Sequence, residues 1–173
     1  RRTVKFTWVY KVKRDGSLKA RLCVQGCSQV PFVDYNQTYC AAMRATSLRV
    51  LSSAAARDGL SLRRWDFVSA YLQGELLEGE VVYCSLPAGY EELTGESSIG
   101  DDGQRKLCKV VKPIYGMAQA GRRWQRSLFP CLTEDCGFTT SDHDPCVIFK
   151  SQTRADGHVE WLIVRCYVDD LYV

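Results

Sequence analysis

Two adjacent aspartates, Asp169 and Asp170, lie inside the strand-forming run CYVDDLYV (166 to 173), and a third, Asp66, closes the strand-like run LSLRRWDF (60 to 67). Charge is costly in such segments unless something binds it. If the two strands are neighbours in one sheet, three carboxylates meet at one edge. Each like-charged pair at about 4 Å then costs about 1 kcal/mol in water and several-fold more when partly buried. Hard divalent cations relieve that repulsion, because Mg²⁺ takes carboxylate oxygens together with substrate phosphates. The chemistry expected is two-metal phosphoryl transfer. Taken alone, the Asp169–Asp170 pair reads more simply as turn residues, which aspartate favours.

Composition narrows the field. The 173 residues predict about one domain with a sizeable core. The longest apolar stretch, WLIVRCYV (161 to 168), is broken by Arg165 and is far shorter than the roughly 20 residues of a membrane span. The chain opens on Arg1 with no charged leader followed by an apolar stretch, and it stops in a strand-like segment, so both ends read as cut. Nine cysteines with no C-x-x-C pair and two histidines argue against zinc. Cys84, Cys146 and Cys166 sit among apolar neighbours, so reduced thiols in an intracellular, reducing compartment are expected.

The net charge of +3 hides a segregation. Residues 1 to 33 carry eight Lys/Arg against Asp15, and residues 103 to 133 carry seven with no acid, so each is +7 and the remainder is −11. Basic surfaces for a polyanion beside an acidic, cation-holding region are one reading, and solvated faces are the other.

The elements that must position these groups follow from periodicity. KFTWVYKVK and LKARLCVQ flank RDGS as a hairpin, with Lys11 and Lys13 on its polar face. TSLRVLSSAAARDG predicts a helix with Thr46 as N-cap and Gly59 as its stop. A strand ending at Asp66 precedes a short helix or turn in VSAYLQGEL. The polar stretch 91 to 106 reads as a mobile loop. A helix is expected over 118 to 136, kinked or split at Pro130 and ended by Gly137. PCVIFK and HVEWLIVRCYV flank the turn RADG, and the aspartate pair then occupies a tight turn before LYV.

The ordered set KARLCVQGCSQ (19 to 29), WDFVSAYLQGEL (65 to 76), IYGMAQAGRRW (114 to 124) and YVDD (167 to 170) resembles the reverse transcriptase domain of copia-type LTR retrotransposon Pol polyproteins. The resemblance runs through nearly the whole chain. It implies an α/β (α+β) right-hand polymerase fragment whose palm is an antiparallel sheet packed on helices, with the thumb absent. Fingers would occupy about 1–41 and 75–118, and palm 42–74 and 119–173.

The resemblance also implies roles. Asp66 and Asp169 would bridge two Mg²⁺ ions, with Mn²⁺ as the alternative, and Asp170 would complete the triad. Arg21 would grip the incoming triphosphate, helped by Lys11, Lys13 or Lys19. Tyr71 would be the steric gate that rejects a 2′-hydroxyl, or else a core aromatic. Tyr115 and Gly116 would line the nucleotide pocket, and Arg122 and Arg123 would face template or primer phosphates. Ala118 and Gly121 stand where that stretch usually carries Lys and Pro, which implies weaker positioning. Implied partners are RNA or DNA template with primer, deoxynucleoside triphosphates and the rest of the polyprotein, thumb and RNase H included, with no membrane. The implied setting is cytoplasmic, in a virus-like particle, or nuclear. Two other readings are a decayed retroelement remnant that binds nucleic acid without polymerising, and another palm-type nucleotidyltransferase such as a cyclase or DNA-templated polymerase.

Overall fold

The computed structural model describes residues 3–173; Arg1 and Arg2, counted above in the first basic segment, lie outside the described residues. In chain order the elements are β1 (Phe6–Val12), β2 (Leu18–Val24), α1 (Ala45–Arg57), β3 (Arg64–Asp66), α2 (Ala70–Gln73), β4 (Tyr83–Ser85), α3 (Tyr90–Thr94), β5 (Leu107–Lys109), α4 (Ala120–Pro130), β6 (Thr139–Thr140), β7 (Val147–Thr153), β8 (Val159–Tyr167) and β9 (Asp170–Tyr172). The chain divides into two units, Arg1–Thr38 with Tyr71–Arg123, and Tyr39–Ala70 with Trp124–Val173. Every pair of these strands is antiparallel. Among the described residues, no helix is long and apolar enough to cross a membrane.

The first unit holds the hairpin β1–β2 and the pair β4–β5. The hairpin turns where expected: Gly16 takes φ +80°, and the Asp15 carboxylate accepts from the Ser17 amide at 2.9 Å and hydroxyl at 2.7 Å. Val4, Val24, Val82, Cys84, Val110, Met117 and Ala120 form the core. Residues 91 to 106 are more ordered than their composition predicts. Glu91 opens the body of α3, the Tyr90 hydroxyl donates to Glu96, the Ser98 amide donates to Glu91, and Lys106 N–H donates to the Ser98 carbonyl at 2.8 Å. Local side-chain and backbone hydrogen bonds thus hold this segment.

The second unit is built on one five-stranded sheet, ordered β3-β9-β8-β7-β6. Its strands bury Val147, Ile148, Val164, Cys166 and Leu171. The turn between β7 and β8 uses Gly157 at φ +83°. The helix expected over 118 to 136 is split at Pro130: this residue has no N–H to give Arg126, and Cys131–Asp135 continue as a π-helical turn before Gly137 at φ +71°. The predicted strand over 60 to 67 contracts to Arg64–Asp66, with Arg63 and Val173 exchanging backbone bonds of 2.8 Å just outside it.

Helix α1 is stopped at Gly59 (φ +64°), whose successor Leu60 donates to the Ala55 carbonyl at 2.9 Å, a Schellman closure. Its start corrects the expectation for Thr46, which lies inside the first turn behind the cap residue Arg44. The cap comes from far along the chain. Asp144, 2% exposed, accepts from Arg44 N–H (2.9 Å), the Ser47 hydroxyl (2.5 Å) and Cys146 N–H (3.0 Å). Burial raises its pKa, but these donors outweigh burial and hold it below the ordinary 3.8. A depressed carboxylate stabilises the fold above its unfolded-state value, and that stability is lost as pH falls through the folded value. Asp144→Ala is therefore expected to cost about 2–3 kcal/mol at pH 7, by loss of the cap and of charge-assisted bonds. Urea titrations should show the difference between variant and parent shrinking as pH falls below 3.8.

Candidate active site

Register brings two of the three predicted acids together. β3 lies beside β9 with Arg64 opposite Tyr172, Trp65 opposite Leu171 and Asp66 opposite Asp170. Directly opposed residues of an antiparallel pair project to the same face, so Asp66 and Asp170 are neighbours on one side of the sheet. Asp169 sits one residue away, in the two-residue turn between Tyr167 and Asp170, and its carbonyl accepts from Phe67 N–H at 3.0 Å.

That turn is strained. Val168 takes φ +55°, a left-handed conformation that a β-branched side chain pays about 1–2 kcal/mol to adopt. Its carbonyl is held by the Trp124 indole N–H at 2.7 Å, and Trp124, 5% exposed, packs edge-on against Phe67 with ring centroids 4.9 Å apart. The elbow that presents Asp169 is thus fixed from behind by an aromatic pair. Sequence reading passed over Trp124 as a binder; its place directly after the Arg122–Arg123 pair was the available signal.

Arg64 completes this end of the sheet. Its Nε donates to Asp170 Oδ1 at 2.8 Å and its second terminal nitrogen lies at 2.6 Å from the same oxygen. Asp66 is exposed, while Asp169 and Asp170 are half-buried. Among the described residues, no group of three or more His, Cys, Asp or Glu is gathered closely enough to hold a metal ion. The donors are all carboxylate oxygens, the set that suits Mg²⁺, an ion that keeps several waters and shares substrate phosphates rather than demanding a complete protein cage.

In the first unit, Arg21 stands exposed on β2 opposite Val9, its guanidinium 4.8 Å above the Tyr115 ring. The Tyr115 ring in turn lies 4.7 Å from that of Tyr71, the two planes tilted by 55°, so the three side chains touch in series. Tyr71 also packs against the hydrophobic core. Lys19 is directly opposite Lys11, a like-charge pairing that disfavours the hairpin and is relieved by an anion.

Gly116 takes φ +89°, and a Cβ there would fall 2.0 Å from the Val24 carbonyl oxygen; one on Gly26 would fall 2.0 Å from that of Gly116. The two glycines let the end of β2 and the stretch 114 to 118 touch backbone to backbone, fixed by Val24 N–H to the Tyr115 carbonyl at 2.8 Å. Behind them lies a buried polar network that sequence reading missed. Gln29 donates to Gln119 at 3.1 Å and accepts from Ala118 N–H at 2.8 Å, and Gln119 donates to the Asp34 carbonyl at 3.2 Å.

The two arginines after this stretch part company. Arg122 is half-buried and donates to Gln37. Arg123, expected to face phosphates, is 2% exposed and forks onto Glu80, with Nε to Oε2 at 2.9 Å and a terminal nitrogen to Oε1 at 2.6 Å. The expectation for Arg123 is corrected: its charge is spent inside the first unit.

The chain is thus a mixed helix-and-sheet protein with antiparallel sheets, bearing acids on neighbouring strands at one sheet end. It belongs to the family described as reverse transcriptase (RNA-dependent DNA polymerase), whose model matches residues 1–173. It is 31% identical to the retrovirus-related Pol polyprotein from transposon TNT 1-94 of Nicotiana tabacum, over 100% of this chain and 12% of that protein. It is 32% identical to the corresponding polyprotein from transposon RE1 of Arabidopsis thaliana, over 96% of this chain and 11% of that protein. The transposon Ty1-DR4 Gag-Pol polyprotein of Saccharomyces cerevisiae is 25% identical over 99% of this chain and 9% of that protein. The chain therefore spans about an eighth or less of the curated relatives it matches. No solved structure matches it at a significant level.

Proposed function

We propose that this chain is the nucleotide-adding part of an RNA-directed DNA polymerase, and one stretch of a longer Pol polyprotein. The second unit would serve as palm and the first as fingers. The observation that carries the reading is the register of β3 on β9, which sets Asp66 beside Asp170 and next to the elbow of Asp169.

In this reading Asp66 and Asp169 hold two Mg²⁺ ions, with Asp170 as the peripheral third carboxylate. Bound there, the ions would acidify the primer 3′-hydroxyl and neutralise charge on the departing pyrophosphate. The chain's own residues position the rest. Arg21, backed by the Tyr115 face, presents a planar fork to the triphosphate, and Lys19 adds a second cation. Tyr71 closes the space under the sugar, while Gly116 keeps the backbone beside Tyr115 low. Arg122 is left to meet template or primer phosphates. Partners are then RNA or DNA template with primer, deoxynucleoside triphosphates and the remaining polyprotein. The nine free thiols support an intracellular, reducing setting.

Primer extension on matched RNA and DNA templates tests this, with the chain carried into the next stretch of its polyprotein. Tyr71→Ala should raise ribonucleotide relative to deoxyribonucleotide incorporation by about tenfold or more, each factor being roughly 1.4 kcal/mol of lost discrimination. Equal slowing of both would make Tyr71 a core aromatic only. Binding of an RNA–DNA hybrid with no extension under any metal would favour the decayed-remnant reading.

A further inference from the structure

We propose that Cys131 and Cys136 form a reversible dithiol–disulfide site, oxidised by exchange with a small disulfide of the glutathione class. The inference goes beyond polymerisation and does not depend on it. What joins the two cysteines is the turn that follows Pro130. On an α-helix, residues five apart point about 140° away from each other. The π-helical turn Cys131–Asp135 closes that gap, because Cys136 N–H donates to the Cys131 carbonyl at 3.0 Å. One closed helical turn separates Cα atoms by about 5–6 Å, inside the roughly 4.4–6.8 Å that a disulfide spans. The side chains meet as well, with the two thiols within hydrogen-bond reach of each other. Gly137 at φ +71° then turns the chain, and the Lys150 ammonium donates to the Cys136 carbonyl at 2.9 Å, so the backbone on the far side of the pair is held too.

Exposure separates this pair from the other thiols. Among the described residues the exposed cysteines are Cys27, Cys131 and Cys136, and Cys27 lies in the first unit. Cys84, Cys146 and Cys166 are buried, and burial pushes their thiols up to about 11, about 11 and about 12. Cys84 also has a cysteine neighbour, Cys108 on the opposite strand, but at 0% exposure its sulfur is out of reach of an oxidant. Only at 131 and 136 do two thiols meet where a soluble disulfide can reach them both.

The exchange has an order. Partial desolvation, and after it the charge on Cys136, pushes the Cys131 thiol above its ordinary 9.0, so Cys131 keeps its proton longer. Cys136 is therefore the attacking sulfur. Its thiolate forms a mixed disulfide and expels one glutathione thiolate. Cys131 then passes its proton to that thiolate, attacks the Cys136 sulfur and expels the second glutathione. One small disulfide is reduced to two thiols while two cysteines are oxidised to one disulfide, and a thiol reductant runs the steps backwards. The new bond ties off the end of the helix that carries Trp124, the side chain behind the Asp169 elbow.

The test incubates the folded chain with oxidised glutathione, blocks the remaining thiols with an alkylating agent and maps the peptides by mass spectrometry. The expected product has Cys131 joined to Cys136, two hydrogens lighter than the dithiol, with no glutathione on either residue, and dithiothreitol restores the dithiol. Cys131→Ser should leave a glutathione adduct on Cys136 that lasts at least about tenfold longer than in the parent, because the tethered thiol that displaces it is gone. Stable glutathione adducts on Cys131 or Cys136 of the parent would overturn the proposal. So would two thiols that stay free while Cys27 is modified, an adduct equally short-lived in Cys131→Ser, or a Cys131–Cys136 bond that forms only in urea, since the folded turn would then not be what brings the sulfurs together.

Discussion

On the proposed function, Asp169→Asn is expected to leave the fold standing and to slow nucleotide addition by about a thousandfold or more. The structural work at this position is done by the backbone: the Asp169 carbonyl accepts from Phe67, and the neighbouring Val168 carbonyl is held by Trp124. An amide preserves both bonds and the size of the side chain, so thermal unfolding should match the parent. What the amide removes is a negative charge at the tip of the elbow, which in the proposed chemistry anchors a cation. Several kcal/mol of transition-state stabilisation go with it, and about 4 kcal/mol corresponds to the thousandfold. Asp170→Asn should be milder, since Arg64 already occupies one of its oxygens. An Asp169→Asn protein that is folded and keeps a tenth of the parent rate would defeat the assignment of Asp169.

The largest stability effect is expected at Glu80. Its side chain is 6% exposed and its partner Arg123 is 2% exposed, so Glu80→Ala takes the ion-pair partner from a guanidinium buried in the interior of the first unit. Breaking a buried pair from one side costs about 3–5 kcal/mol, which for a chain of this size is a drop in Tm on the order of 10 °C. The Leu77 amide, which donates to the same carboxylate at 3.0 Å, loses its acceptor as well. Calorimetry on Glu80→Ala and Arg123→Met decides the matter. If Arg123 served phosphates instead, Arg123→Met would weaken nucleic-acid binding with little loss of stability.

The contrast between these residues shows what was legible in the residues themselves. Hairpins announced themselves through local chemistry, because Asp15-Gly16 and Asp156-Gly157 specify turns within four residues. The acids at 66, 169 and 170 stood out because charge is rare in strand-forming runs, and the meeting of Asp66 with Asp170 needed only that β3 and β9 be neighbours. Arg123 was misjudged because its partner lies 43 residues away, so a basic run looked like surface throughout. The same distance hid Asp144, which caps a helix 97 and 100 residues earlier in the chain, while the nearer Thr46 was chosen on local preference alone. Order in residues 91 to 106 was invisible to composition because it rests on individual side-chain bonds such as Ser98 to Glu91.

The place of β3 at the margin of its sheet has a consequence for synthesis. Its ladder partner is β9, and Arg64 and Asp170 are 106 residues apart in the chain. A ribosome that has delivered Asp66 must still make β6, β7 and β8 before the strand that receives it exists. Closing so long a loop is also slow, since entropy is lost before the contacts are gained. Asp66 and Asp170 therefore meet only after the rest of the sheet has been translated, and a nascent chain halted anywhere earlier carries one half of its acidic site and no means of completing it.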